Sequence, residues 1–246
     1  MKALTIAARE LRAYFVSPLA YVVLTVWLLW TGATFYYFCT WFASNPSGSE
    51  TYTPLTMFFS GNMLLFLPML VFVPVLTMRL LAEEAHSGTL EQLLTVPVSD
   101  TAIVLGKYLA AMVMWCTLWV PTLVYVLITT SYGTIDPGTI VSSYVGLLGI
   151  GLYYMAIGLL MSALASTQVV AAVLTFLFLG MLFLLGIGQF IFPGPPAEVL
   201  AYLSVWGHMT DFAKGIVDTR YLVYDASLTA LALFFAVQAI DVRRDG

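Results

Sequence analysis

Side chains able to do chemistry are few in this chain and unevenly spread. There are two histidines, His86 and His208, and two cysteines, Cys39 and Cys116. No Gly-x-x-x-x-Gly-Lys-Ser/Thr loop is present to cradle nucleotide phosphates, and Gly106-Lys107 lacks the preceding glycine. No His-Glu-x-x-His and no Gly-x-Ser-x-Gly elbow occurs. No catalytic residue, metal site or bound cofactor is therefore expected. What stands out is Arg79 to Asp100, which carries Glu83, Glu84, Glu91 and Asp100, four of the thirteen acidic residues. Ser87-Gly88 should break any helix entering it. Thr89 is a good N-cap with Gln92 at the capping-box spacing. Leu90, Leu93 and Leu94 then share one helical face, and Pro97 ends the turn. The chemistry of such a segment is non-covalent. A leucine stripe flanked by carboxylates either rests on a bilayer surface or docks into a soluble partner.

The elements that must position this segment are apolar. The 246 residues are 61% hydrophobic and 9% charged, where a soluble domain carries about 25% charged residues. Mean hydropathy is +0.95. A membrane-crossing helix needs about 20 apolar residues, and six runs qualify, near 19–42, 57–79, 102–130, 140–165, 168–192 and 222–240. The runs are too long and too uniform for alternating barrel strands. The expected fold is an all-α integral membrane protein, one transmembrane domain over 1–246, with no separate soluble core. Cys39 and Cys116 fall inside apolar runs and read as packing residues. Six crossings put both termini on one side, with Lys2, Arg9, Arg12, Arg79, Lys107, Arg243 and Arg244. Only Lys214 and Arg220 lie opposite. The positive-inside rule makes the first side cytoplasmic, as in a multi-pass protein of a bacterial-type inner membrane.

Residues 1–16 read as an interfacial amphipathic helix, not a signal peptide. Lys2, Thr5, Arg9 and Arg12 fall on one arc and Leu4, Ala7, Leu11, Tyr14 and Phe15 on the other, ending near Ser17-Pro18. In the second run Pro68 and Pro74 should bend the helix, and Asn62 reads as a buried interhelical polar group. Ser99 or Asp100 should cap the third run, Lys107 should snorkel to the cytoplasmic interface, and Pro121 should kink it. Gly146, Gly149, Gly151 and Gly158 allow close helix approach in the fourth. Two short outer helices are expected near 197–204 and 209–215, separated by Trp206-Gly207-His208, with Gly215 ending the second. His208, Asp211, Lys214, Asp218 and Arg220 read as a solvated outer face pairing among themselves.

The centres of the apolar runs hold no Asp, Glu, Lys, Arg or His, which argues against a self-powered carrier. Residues Arg79 to Ser99 resemble the cytoplasmic segment of type-2 ABC transporter permeases, close to Arg-x-x-x-Glu-Glu-x-x-x-Gly-Thr-Leu-Glu-x-Leu-Leu-x-x-Pro-Val-Ser. The matching residues are Arg79, Glu83, Glu84, Gly88, Thr89, Leu90, Glu91, Leu93, Leu94, Pro97, Val98 and Ser99. His208-Met-Thr-Asp-Phe-Ala-Lys-Gly-Ile-Val-Asp-Thr-Arg220 is similar to the gliding-motility-associated subgroup, and brings His208, Asp211, Phe212 and Gly215 forward as its outer-helix residues. Ala85-His86 and Asp225 depart from the pattern. The resemblance implies a permease that pairs with a second copy or paralogue. It also implies two cytoplasmic ABC ATPase subunits, which bind ATP and Mg. The segment 89–95 would be the coupling helix. Leu90, Leu93 and Leu94 would anchor it, and Glu83, Glu84 and Glu91 would pair with the ATPase or with Arg9 and Arg12. The expected function is coupling ATP hydrolysis to export. The alternative is an anchor that transmits ATPase-driven force to an extracytoplasmic protein. Nucleic acid is not an expected partner.

Overall fold

The computed structural model describes residues 2–45, 53–88, 99–133 and 135–245, and these residues are helical with short connections and no strand. Six helical stretches are long and apolar enough to cross a membrane: Pro18–Ser44, Met63–Ser87, Asp100–Tyr132, Pro137–Leu164, Gln168–Phe190 and Thr219–Arg244. Helices are what such runs must form, because a backbone in lipid has only its own groups to hydrogen-bond. The protein is a multi-pass, all-α membrane protein.

Helix α1 (Lys2–Val16) precedes the first span, α2 (Pro18–Ser44), with Ser17 extended and Pro18 at the first helical position. A short helix α3 (Pro54–Phe59) is closed at its start by Thr53 and Thr56 in a reciprocal capping box. The second span is α4 (Met63–Thr77), a turn at 78–81, then α5 (Ala82–Ser87), which stops at Gly88 with φ 70°. The third span is α6 (Asp100–Trp119) and α7 (Leu123–Tyr132), joined by a 3₁₀ turn at Val120–Thr122 that contains Pro121. The missing proline N–H accounts for that break. The fourth span is α8 (Pro137–Leu164) and the fifth α9 (Gln168–Ile187). Two short helices follow, α10 (Pro195–Leu203) and α11 (Val205–Phe212), before the last span, α12 (Thr219–Asp245).

Three of these elements differ from the sequence reading. Asn62 is not a polar group inside a span. It caps α4: its side-chain oxygen accepts from Leu65 N, and its amide donates to the carbonyls of Met57 and Phe58. The second span therefore starts at Met63, and 57–59 belong to α3. Trp206-Gly207-His208 lies inside α11, because Ser204, which accepts from Gly207 N, separates the two short helices. The last span starts at Thr219, three residues before the expected 222, and Asp225 lies inside it as that range implied.

The fourth span is the centre of the bundle. Four of its glycines each receive a side chain from a different neighbour, and a methyl group added at any of these positions would collide. Gly146 lies under Phe212 of α11, Gly149 against Asp225 of α12, Gly151 against Trp115 of α6 and Gly158 against Thr77 of α4. Trp115 is buried and its indole N–H donates to Leu147 O at 3.1 Å. Trp27 of the first span packs edge-on to Phe72 and to Trp119. Leu29, Leu67, Leu127, Leu177 and Phe234 are exposed on the outside of the bundle, the surface that lipid covers in a membrane protein.

Both ends of the chain lie on one face. Arg244 of α12 meets Asp100 at the start of α6, and α1 packs along the first turns of α6. This is called the terminal face below, and α3, α10 and α11 lie on the far face.

Candidate functional site

Helix α1 binds the bundle through Ala3, Ile6, Ala7, Glu10 and Tyr14, while Leu4 and Phe15 stay exposed. The approach is close because Gly106 of α6 has no side chain: a methyl group there would lie 2.8 Å from Ala3 O and from Ile6 Cβ. The next residue, Lys107, is 1% exposed. Its Nζ lies 2.9 Å from Glu84 Oε1 and 3.3 Å from Glu10 Oε1. Arg9 completes the group, 3.0 Å from Glu10 and 3.6 Å from Glu84. Two cations and two carboxylates thus join α1, α5 and α6 with no net charge. Lys107 does not snorkel to an interface. The carboxylates close over it, because a buried ammonium needs a counter-ion more than headgroup contact.

The acidic helix α5 is fixed by further contacts. Arg79 forks onto Glu83, with Nε to Oε2 at 2.9 Å and NH2 to Oε1 at 3.3 Å, and its NH1 reaches Ser17 Oγ at 3.3 Å. Tyr14 donates its hydroxyl proton to Leu76 O at 2.6 Å. Burial, reinforced by the Glu10 charge, pushes this phenol well above its ordinary pKa, so it remains a donor. Ser162 of the fourth span accepts from the backbone N–H groups of Leu81 and Ala82, both at 3.0 Å, and donates to Met78 O. Leu81 and Ala82 are buried, so these donors need that partner. On the other side, Asp100 pairs with Arg244 at 2.9 Å, and Arg243 donates to Ala165 O at 3.0 Å.

Of the expected partner-facing residues, Glu83, Glu84 and Arg9 are brought together on the terminal face. Arg12 is exposed and makes no ion pair among the described residues. Thr89, Leu90, Glu91, Leu93 and Leu94 lie outside the described residues. The two ends of that segment do not. Gly88 follows α5, held through Glu84 and Glu83, and Asp100 opens α6, held by Arg244. One oxygen of Glu84 and one of Asp100 are buried without a hydrogen-bond partner among the described residues.

On the far face, His208 is not part of a solvated charge run. It is 1% exposed and lies 3.6 Å from Asp225, itself 1% exposed. Asp211 accepts from Tyr221 Oη at 2.9 Å, and Asp218 from Arg220 N. Among the described residues these side chains form no ion pair with one another, and only the Arg220 backbone N–H reaches another member's side chain, because α11 folds back onto α8 and α12. Phe212 is fully buried against Gly146, and Ser142 Oγ donates to its carbonyl at 2.6 Å. Gly215 has φ 85° and closes the turn after α11. The burial of Lys107, Ser162 and Asp225 went unread in the sequence. For Lys107 and Asp225 the available signal was a charge inside an apolar run, which requires a partner, and the uncharged Ser162 offered none.

Among the described residues no cluster of His, Cys, Asp and Glu could hold a metal ion. What the terminal face offers is a set of ion pairs that link three helices to both ends of one hydrophilic segment. No curated protein matches the chain. The family model described as ABC-2 family transporter protein matches residues 5–207. That match runs through the clamped terminal-face helices and the first five spans, so the chain belongs to the ABC-2 transporter family, as a membrane-spanning permease subunit.

Proposed function

We propose that this permease is the membrane half of an ATP-driven exporter, with the terminal face in the cytoplasm of a bacterial-type inner membrane. A separate ATPase subunit binds ATP and Mg, and residues 89–95, within the 89–98 connection, are the element it grips. The observation that carries this reading is the position of Lys107 between Glu84 and Glu10. Force applied to 89–98 enters α5 at one end and α6 at the other. Through Lys107 it also reaches α1, and through Arg244 the last span. Loose loops would dissipate such a push, whereas ion-paired helices move as a body. Leu90, Leu93 and Leu94 supply the apolar anchor and Glu91 sets register against basic groups of the ATPase, while Glu83 and Glu84, paired with Arg79, Lys107 and Arg9, hold the base of the segment. A second permease copy or a paralogue completes the pore-forming unit. The far-face sequence from His208 to Arg220 supports placement in the gliding-motility-associated subgroup.

The test is a Leu93→Asp, Leu94→Asp variant reconstituted with the ATPase. Loss of a buried leucine anchor costs on the order of 3 kcal/mol of docking energy. Membrane insertion should persist while ATPase copurification and stimulated hydrolysis fall. Unchanged hydrolysis with normal copurification contradicts the assignment. Hydrolysis that rises with added substrate in liposomes supports export, and its absence favours transmission of force to an extracytoplasmic protein.

A further inference from the structure

His208 and Asp225 face each other between α11 and α12 in the far-face half of the bundle. His208 Nδ1 lies 3.6 Å from Asp225 Oδ1, and each residue is 1% exposed. The other ring nitrogen is committed: Nε2 is 2.8 Å from Tyr202 O, and a backbone carbonyl only accepts, so Nε2 carries a proton. Nδ1 and both Asp225 oxygens have no hydrogen-bond partner among the described residues. An ionised Asp225 beside a neutral His208 would be a buried, unpaired anion facing a lone pair. An imidazolium beside a protonated carboxyl would be an unpaired cation. Either costs several kcal/mol. Two arrangements avoid the cost, imidazolium with carboxylate or neutral imidazole with carboxylic acid, and each contains one proton beyond the Nε2–H.

We infer that His208 and Asp225 form a proton-binding site that holds one proton between them and fastens the α10–α11 hairpin to the last span. The ligand class is the proton itself, since a methyl group placed on Gly149 would come within 2.5 Å of Asp225 Oδ2 and the fourth span closes that side. The titratable groups packed against the pair are phenols: Tyr153 and Tyr154 from α8, Tyr202 from α10, Tyr221 and Tyr224 from α12. Tyr221 lies over the imidazole with ring centroids 4.1 Å apart, and Tyr224 meets it edge-on at 5.5 Å. Asp211, on the same helix as His208, is engaged by the Tyr221 hydroxyl. Losing the proton leaves the anion unpaired in an apolar bundle, and the hairpin is released where it meets α12.

The experiment uses the full chain in lipid nanodiscs with His86→Gln, which leaves His208 as the single histidine. Nitrogen-15 resonances of the ring report Nδ1 protonation, and the infrared carboxyl band lost in Asp225→Asn reports the acid. At neutral pH the expected result is a protonated Nδ1 or a protonated Asp225. A bare Nδ1 together with an ionised Asp225 overturns the proposal. The fastening is read by amide exchange of residues 205–212. His208→Ala should accelerate it about tenfold or more, because it strands the carboxylate. Asp225→Asn offers an N–H to Nδ1 without a shared proton, and its exchange should stay near the wild-type rate. Equal exchange in His208→Ala, Asp225→Asn and the unmodified pair overturns the fastening role.

Discussion

Lys107 Nζ lies 2.9 Å from Glu84 Oε1, and the lysine is buried to 1% exposure. The pair joins the third span to the acidic helix that leads out of the second. Glu10 shares the same ammonium, so one cation holds three elements. Removing a member of a buried pair costs far more than the pair's net worth, because the remaining charges are left without a partner. Lys107→Met should therefore lower stability by on the order of 3 kcal/mol, with α1 and α5 losing amide protection first. Thermal unfolding and hydrogen exchange in nanodiscs check this. Adding Glu84→Gln should recover part of the loss, since it removes one stranded carboxylate.

Arg9 tests the other end of the scale. Its side chain is 57% exposed, and its guanidinium sits 3.6 Å from Glu84. Pairs of this kind contribute about 0–1 kcal/mol and are screened by salt. Arg9→Gln should leave the melting temperature nearly unchanged at high ionic strength. A loss comparable to that of Lys107→Met would mean that the network's charges have been ranked wrongly.

Ser162 gives a prediction about the hinge before α5. Ser162→Ala removes the acceptor for two buried backbone donors, Leu81 N and Ala82 N. An unsatisfied buried donor costs about 1–3 kcal/mol. Amides at 81–87 should exchange faster while those of α8 around Gly151 are unchanged. In the reconstituted complex, the proposed transmission predicts weaker substrate-dependent hydrolysis than the small stability change alone would cause. Ser162→Thr, which keeps the hydroxyl, should retain more protection at 81–87 than Ser162→Ala.

How much of this was legible beforehand follows from the range of each interaction. Runs of apolar residues, the Ser17-Pro18 stop, the Pro121 break and the Gly88 end are local, so the six spans and the N-terminal helix could be read directly. Asn62 was misplaced because an asparagine in an apolar run reads equally as a cap or as an interhelical contact. Only the turn at Ser60-Gly61 decides between them. Lys107 and His208 were assigned to an interface and to a solvated face. Their burial depends on α1 folding over α6 and on α11 folding back over α8, long-range packing that no local pattern encodes. Asp225 was noticed as an odd residue at the start of the last run, and its partner lies 17 positions earlier in the chain. The pairing became visible only once both helices were positioned.

The most direct test of the coupling account is a photo-crosslinker placed at Leu93 in membranes that contain the assembled transporter. The account predicts a crosslinked product with the cytoplasmic ATPase subunit, formed while the Lys107–Glu84 clamp is intact and reduced in Lys107→Met. Products with lipid alone, or labelling of position 93 solely from the opposite side of the membrane, would contradict it.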